Sequence, residues 1–309
     1  MYQLLTAMFT MIALGFFLRL GRVLPRDATS LLNKLVFYVT FPCLVFRSLQ
    51  NSQLDPQLWN IPLLAYPTIS AFFVLSYLFA RRGLKLAIPT SVSFAMGAAF
   101  GNTAFLGYPF VMAIVGEKGL PPAIFFDQMG NFLSVYTVGI LFCAYSQSKR
   151  FSLQSVREIL KLPPFLAFLL AIFIHGVSLP SFLQESIRRL ADATVPLTML
   201  SIGLSLSGMH LFRNAKLLLL ASLMKLFLLP LAMFLITEIG SLSPLYRQVT
   251  VLESATPTLM SSYVLASLYH LDEEFASSVI FVTTLIAFFT LFFFFFFFDT
   301  ATTENYTVL

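Results

Sequence analysis

Four ionisable side chains lie within strongly apolar stretches of the chain: Asp127, Asp192, Lys225 and Glu253. A charged group inside such a stretch is costly to bury and is by default a candidate for binding an ion or a proton. Glu253 is the strongest candidate, because it begins the helix-breaking sequence ESATPTLMSS. Two alternatives stay open. For Lys225 the alternative is a buried salt bridge with a carboxylate. For Asp127 the alternative is a position at the polar end of its apolar segment.

Two stretches combine poor helix formers with neutral polar side chains, FGNTAFLGYP at 100–109 and ESATPTLMSS at 253–262. Each predicts an interrupted helix, because glycine, proline and Asn-Thr pairs weaken helices. An interruption exposes N–H groups that suit a carboxylate and C=O groups that suit a cation. The alternative is a plain proline kink with small residues for helix packing. The predicted anion-binding residues are Asn102, Thr103, Gly107, Pro109, Gln128, Asn131, Thr256, Pro257 and Ser261.

The composition identifies the surroundings of these segments. Of the 309 residues, 58% are hydrophobic and 11% are charged, and the mean hydropathy is +0.85. Soluble domains carry about 25% charged residues, so the sequence predicts an all-α integral membrane protein. The net charge is +5, and the basic residues lie in short loops between apolar runs. This distribution indicates that they set the membrane topology, and we expect no nucleic-acid partner. Cys43 and Cys143 show no metal-ligand spacing, and we expect neither a metal nor a cofactor.

The apolar runs predict about ten transmembrane helices, since one crossing takes about 20 residues. Basic residues are concentrated in the loops after the first, third, fifth and seventh runs. The positive-inside rule therefore predicts a multi-pass protein of the cell membrane with both termini outside. The predicted spans are 2–20, 28–49, 58–80, 88–115, 121–146, 163–179, 183–207, 214–237, 245–268 and 273–298.

The two halves of the chain resemble each other. Thr40 and Pro42 in the second span match Thr194 and Pro196 in the seventh, and both interruption-prone stretches contain a proline. Five spans is an odd number, so the second half enters the membrane in the opposite orientation, an inverted repeat typical of secondary transporters. The predicted division is a first five-helix repeat at 1–147, a connecting cytoplasmic loop at 148–161, a second inverted repeat at 162–298 and a polar tail at 299–309.

Motifs along nearly the whole chain resemble the auxin efflux carrier family, in particular its short bacterial-type members. They are NKLVFYVTFPCLVF, GNTAFLGYPF, DQMGN, DATVPLTMLSIGLSL, KLFLLP and ATPT. The resemblance implies ten helices in two inverted five-helix repeats, with a scaffold and an elevator-like part whose broken helices 4 and 9 cross at Pro109 and Pro257. It also implies an organic anion such as malate, malonate or an auxin-like acid, with Asn102 facing the substrate. The third span lacks the acidic residue of the plant carriers, so their proton-coupling scheme does not carry over.

The sequence therefore predicts a secondary active transporter for a small organic anion, coupled to protons in the leading hypothesis. The alternatives are a sodium-coupled symporter of the bile-acid type and a ligand sensor built on a transporter fold. An enzyme is disfavoured, because the sequence contains no HExxH, GxSxG or phosphate-loop motif. The expected partners are the organic anion, a proton or sodium ion and the lipid bilayer, and a homodimer stays open. The phenylalanine-rich segment LFFFFFFFDT is assigned no function.

Overall fold

The computed structural model describes residues 2–25, 27–50, 52–147, 161–205 and 214–306. Every regular element in these ranges is helical, and the sole β-type feature among them is one isolated bridge between Gly101 and Thr258. This confirms the predicted all-α class. The helices are α1 Tyr2–Leu20, α2 Ala28–Gln50, α3 Pro56–Gly83, α4 Ile88–Ala99, α5 Thr103–Ile114, α6 Glu117–Ser146, α7 Pro163–Phe173, α8 Ser181–Asp192, α9 Thr194–Ser205, α10 Ala215–Ile239, α11 Pro244–Ser254, α12 Ser261–Leu268 and α13 Glu273–Tyr306.

Four of these helices, α2, α3, α6 and α10, are each long and apolar enough to cross a membrane alone. They lie where the sequence predicts the second, third, fifth and eighth spans. The predicted fourth span consists of α4 and α5, and the predicted ninth consists of α11 and α12. Helix starts follow local signals: Asn214 caps α10 by accepting from the N–H of Leu217, and Pro244 opens α11 after the capping Ser243.

The seventh predicted span differs from the structure. Residues 183–207 were expected to form one helix, whereas α8 ends at Asp192 and a separate α9 begins at Thr194. The reason is the charge on α8. Glu185 accepts from Arg188 and Arg189 on the exposed face of this helix, so α8 is amphipathic and α9 alone is apolar. Asp192 consequently lies at the end of α8, where its side chain is exposed.

Two further differences concern the ends of the predicted regions. The last helix, α13, continues to Tyr306, so the sequence predicted as a polar tail is helical through that residue. The connecting loop at 148–161 lies, apart from residue 161, outside the described residues.

The helices pack as two groups. The first group contains α1, α2, α7, α8 and α9, and the second contains α3 to α6 and α10 to α13. Within the first group, α1 and α9 touch backbone to backbone, because a Cβ on Gly203 would lie 2.0 Å from the carbonyl oxygen of Ile12. An apolar cluster that includes Met8, Leu106, Phe110 and Met199 joins the groups through α5. The second group contains both interrupted helices.

Candidate functional site

The two interruptions meet and bond to each other. Helix α4 ends at Ala99 with Phe100 extended, and α5 begins at Thr103. The N–H of Asn102 donates to the carbonyl of Pro257 over 2.7 Å, and the N–H of Leu259 donates to the carbonyl of Phe100 over 2.9 Å. Unpaired backbone groups cost several kcal/mol in a membrane, roughly 2–7 each. Each interrupted segment therefore supplies hydrogen-bond partners for some of the backbone groups of the other.

Side chains of the neighbouring helices α6 and α13 form hydrogen bonds with both interrupted segments. The amide of Asn131, on α6, accepts from the N–H of Gly101 over 3.1 Å and donates to its carbonyl over 2.9 Å. The same amide donates to the hydroxyl of Thr103 over 3.1 Å. Thr258 donates its N–H to the hydroxyl of Thr283, on α13, over 3.1 Å. Asn131 was predicted as a substrate contact; in the structure its side chain hydrogen-bonds to the backbone of Gly101 and to Thr103. Thr283 was missed because a threonine pair in an apolar run gives no signal of which backbone group it contacts.

Asp127 is buried and accepts three hydrogen bonds from side chains. The hydroxyl of Thr103 donates to Oδ1. Tyr108 donates to Oδ2 over 3.0 Å, and Nε2 of Gln128 donates to Oδ2 over 2.7 Å. Oε1 of Gln128 is buried with no partner among the described residues. The structure thus brings Thr103, Asp127 and Gln128 together. Tyr108 was not predicted, although it stands next to Pro109 in the same motif.

Glu253 lies in the last turn of α11, just before the second interruption, and Lys225 lies on α10. Both side chains are fully buried. Lys225 Nζ donates to the carbonyl of Ser254 over 2.6 Å. No direct ion pair joins Lys225 to Glu253 among the described residues, whose ion pairs all involve arginine. Neither carboxylate oxygen of Glu253 has a hydrogen-bond partner there. Glu253 faces Gly107, where an added Cβ would lie 2.1 Å from Oε2.

A cavity of about 770 Å³ borders the crossing. It extends from Tyr38, which is 59% exposed, to Gln128, which is 1% exposed. The first residues of α5 and of α12 both line it, so two helix N-termini border one cavity. The lining includes Arg19, Lys34, Asn102, Thr103, Ala104, Asp127, Gln128, Asn131, Met260 and Ser261.

A second cavity of about 640 Å³ shares no lining residue with the first. Pro109 and Asp192 line this second cavity. The interruptions therefore meet at Gly101 and Thr258, and not at Pro109, which lies in the helical part of α5. Asp192 pairs with Arg47, which also pairs with Glu117 over 3.3 Å. Of the predicted site residues, Asp192 and Pro109 thus stand apart from the crossing, while Thr256 and Pro257 lie in the second interruption.

The sequence matches the model of the family described as "Membrane transport protein" over residues 1–295. The chain belongs to this family of membrane transport proteins. The match confirms the resemblance to the auxin efflux carriers. An uncharacterized transporter of Methanothermobacter thermautotrophicus is 33% identical over 276 residues, which cover 88% of this chain and 90% of that protein.

Two other relatives also carry transporter names. An uncharacterized transporter of Methanocaldococcus jannaschii is 29% identical over 280 residues, or 88% of this chain and 90% of the relative. A Rhizobium meliloti protein named "Putative malonate transporter" is 25% identical over 270 residues, or 84% of this chain and 83% of the relative. These similarities and the apolar helices support a membrane-embedded transporter with a small-molecule substrate.

Proposed function

We propose that this protein is a secondary active transporter for a small organic anion. The observation that carries the proposal is the cavity bordered by the N-termini of both α5 and α12. The first N–H groups of a helix have no partner within it, and that end carries a partial positive charge. Two such ends facing one cavity favour a carboxylate. The cavity volume of about 770 Å³ suits a small organic molecule.

Side chains in the same cavity supply specificity. Asn102 and Gln128 are neutral, buried and able to donate hydrogen bonds, and Ser261 begins the second half-helix. Arg19 and Lys34 line the same cavity and attract anions towards it. The relative named as a malonate transporter supports a carboxylate substrate. Malonate, malate and auxin-like acids are therefore the substrates to test first.

The packing supports ten spans in two inverted repeats, at 1–147 and 162–298. We pair α1 with α7, α2 with α9, α3 with α10, α4 with α11 and α6 with α13. When each helix is replaced by its partner in the other half, the contact of α1 with α9 becomes the contact of α7 with α2. In the same way, the contact of α3 with α4 becomes the contact of α10 with α11. The contact of α3 with α6 becomes α10 with α13, and α4 with α13 becomes α11 with α6. All eight contacts occur in the structure, as a two-fold repeat requires.

The orientation follows from the charges at the two cavities. Arg19 and Lys34 lie on the side that the positive-inside rule places in the cytoplasm, while Arg47, near the end of α2, and Lys118, at the start of α6, lie on the opposite side. The large cavity then opens inward, and both termini lie outside the cell membrane. We propose that the first packing group is the scaffold and that the second moves as an elevator that carries the crossing.

We further propose that proton movement drives transport, with Asp127 and Glu253 as the coupling carboxylates. Asp127 lines the cavity, so an ionised Asp127 repels a bound anion, and its protonation removes that repulsion. Sodium coupling is the second candidate, since the carbonyl end of α11 is a place where a cation can bind.

Uptake by proteoliposomes tests the proposal. A thermal-shift screen of carboxylates on the purified chain selects the substrate, and radiolabelled uptake then measures transport. We expect Asn102→Ala to abolish uptake and Gln128→Ala to raise the half-saturation concentration at least tenfold, with expression intact. Lys216→Ala, at an exposed position of α10, serves as the control. Normal uptake by the Asn102 variant would refute the site, and binding without any uptake would favour the ligand sensor.

A further inference from the structure

Lys225 lies at the junction of the two interruptions. Its side chain is fully buried, and Nζ donates over 2.6 Å to the carbonyl of Ser254, the last residue of α11. A Cβ placed on Gly101 would lie 3.4 Å from Lys225 Nζ and 2.6 Å from the hydroxyl oxygen of Thr256. The ammonium group is therefore in contact with α11 and close to the interruption in the other helix.

The groups around this ammonium are oxygen atoms of the kind that bind a hard monovalent cation. The carbonyl of Ser254 belongs to a helix C-terminus, which carries a partial negative charge. The hydroxyl of Thr256 and the carboxylate of Glu253 come from the same segment. Both oxygens of Glu253 are buried and have no hydrogen-bond partner among the described residues. A buried carboxylate in this position needs a nearby positive charge.

Resting on the proposed anion-carrier function, we propose that Lys225 is a built-in cation that takes the place of a coupling sodium ion at this junction. In transporters with broken helices, the carbonyl ends of half-helices coordinate the coupling cation. Here a covalently attached ammonium contacts that carbonyl instead. Because α10 and α11 belong to one packing group, the positive charge stays at the crossing whenever that group moves as a unit. Anion binding then requires no sodium.

The first measurement uses the unmodified full-length protein in detergent. Its melting temperature, and the shift that malonate causes, are compared in sodium chloride and in choline chloride at equal ionic strength. We expect the two salts to give the same values. A saturable sodium-dependent rise in the melting temperature of the unmodified protein would overturn the proposal, whether or not malonate binds.

The second measurement removes the ammonium. Lys225→Ala opens the junction, and Lys225→Thr opens it while leaving one hydroxyl group at its edge. We expect sodium, but not choline, to raise the melting temperature of these variants by about 2–4 °C in a saturable manner. Lys216→Ala, on the same helix but exposed, should show no sodium response. The proposal is wrong if both Lys225 variants ignore sodium or fail to fold at high sodium, since sodium then cannot replace the ammonium.

These measurements separate the two proposals, because the sodium titrations need neither substrate nor flux. If the protein moves no carboxylate but shows the expected sodium responses, the proposal of a built-in cation stands and the proposed carrier function is wrong. If the protein takes up a carboxylate only in the presence of sodium, the carrier function stands and the proposal of a built-in cation is wrong.

Discussion

The N–H of Asn102 donates to the carbonyl of Pro257 across 2.7 Å, and this bond joins two helices interrupted at the same depth. It makes the crossing a short antiparallel pairing, completed by the bond from Leu259 to Phe100. The crossing behaves as one unit as a result, because neither interrupted segment satisfies its backbone alone.

Asn131 is expected to stabilise the crossing more than any neighbouring polar residue of α6. Asn131→Ala removes three hydrogen bonds and leaves the N–H and C=O of Gly101 buried without them. Each unsatisfied group costs about 1–3 kcal/mol, so we expect a lower melting temperature and no uptake. Thr137→Ala on the same helix, where the hydroxyl bonds to Leu133 and Tyr66, is the matched control. Equal melting temperatures of the two variants would contradict this role of Asn131.

Gly107 is expected to be required because of Glu253. A Cβ at Gly107 would lie 2.1 Å from Oε2 and 2.7 Å from Oε1 of Glu253. Gly107→Ala should therefore destabilise the protein by about 1–3 kcal/mol, as overpacking of a core does. The same change in a Glu253→Ala background should cost much less, because the clash is gone. A double-mutant cycle on melting temperature measures the difference. Additive effects would show that Gly107 is needed for another reason.

Much of this site could be predicted from the sequence, because helix breakers and ionisable residues are conspicuous in an apolar chain. The stretches 100–109 and 253–262 indicated both interruptions, and Asp127 and Lys225 stood out by charge alone. The exact crossing point could not be predicted. Pro109 looked like the breaking residue, but the structure places it within α5, directly after the π-helical residues Thr103–Gly107, and the chain is interrupted before Thr103.

Other features depend on tertiary contacts that no local pattern encodes. Thr283 and Tyr108 gain their roles from Thr258 and Asp127, which lie 25 and 19 residues away in the chain. The position of Asp192 depended on whether residues 183–207 formed one helix, and the charged face of α8 decided that they do not. For Lys225 a buried salt bridge was one of two open alternatives, and the structure gives its ammonium a backbone carbonyl instead, because α11 ends at Ser254 and leaves that carbonyl free to accept.

Asp127→Asn is expected to separate exchange from proton-driven transport. The amide cannot change its protonation, so counterflow of labelled for unlabelled substrate should persist while acceleration by an imposed pH gradient is lost. The three donors to Asp127 make some loss of stability unavoidable, because the amide offers one acceptor where the carboxylate offers two. Proteoliposome uptake with and without a pH gradient measures both modes. A variant that still responds fully to the gradient would exclude Asp127 as the coupling residue.

Glu117 and Asp192 share the partner Arg47, and their variants are expected to differ. Asp192 and Arg47 both belong to the first packing group, whereas Glu117 begins α6 in the second. In the proposed elevator movement, the pair of Arg47 with Glu117 must break, whereas the pair of Arg47 with Asp192 stays within one group. Exposed pairs contribute about 0–1 kcal/mol, so Glu117→Gln should change the inward-to-outward population ratio by at most about fivefold. Asp192→Asn should leave that ratio unchanged, and the proton-to-substrate ratio as well, since Asp192 is exposed whereas the proposed coupling residues Asp127 and Glu253 are buried.

Single-molecule fluorescence between labels on α2 and α6 would measure this population ratio, and the reversal potential of transport would give the proton-to-substrate ratio. A changed reversal potential in Asp192→Asn would return Asp192 to the coupling residues, despite its ion pair and its 53% exposed side chain. An unchanged population ratio in Glu117→Gln would mean that apolar contacts such as those of Leu106 and Phe110 with α1 and α9 hold the inward-facing state alone. In that case Leu106→Ala should shift the ratio further than Glu117→Gln, because apolar burial in this cluster stabilises more than an exposed pair.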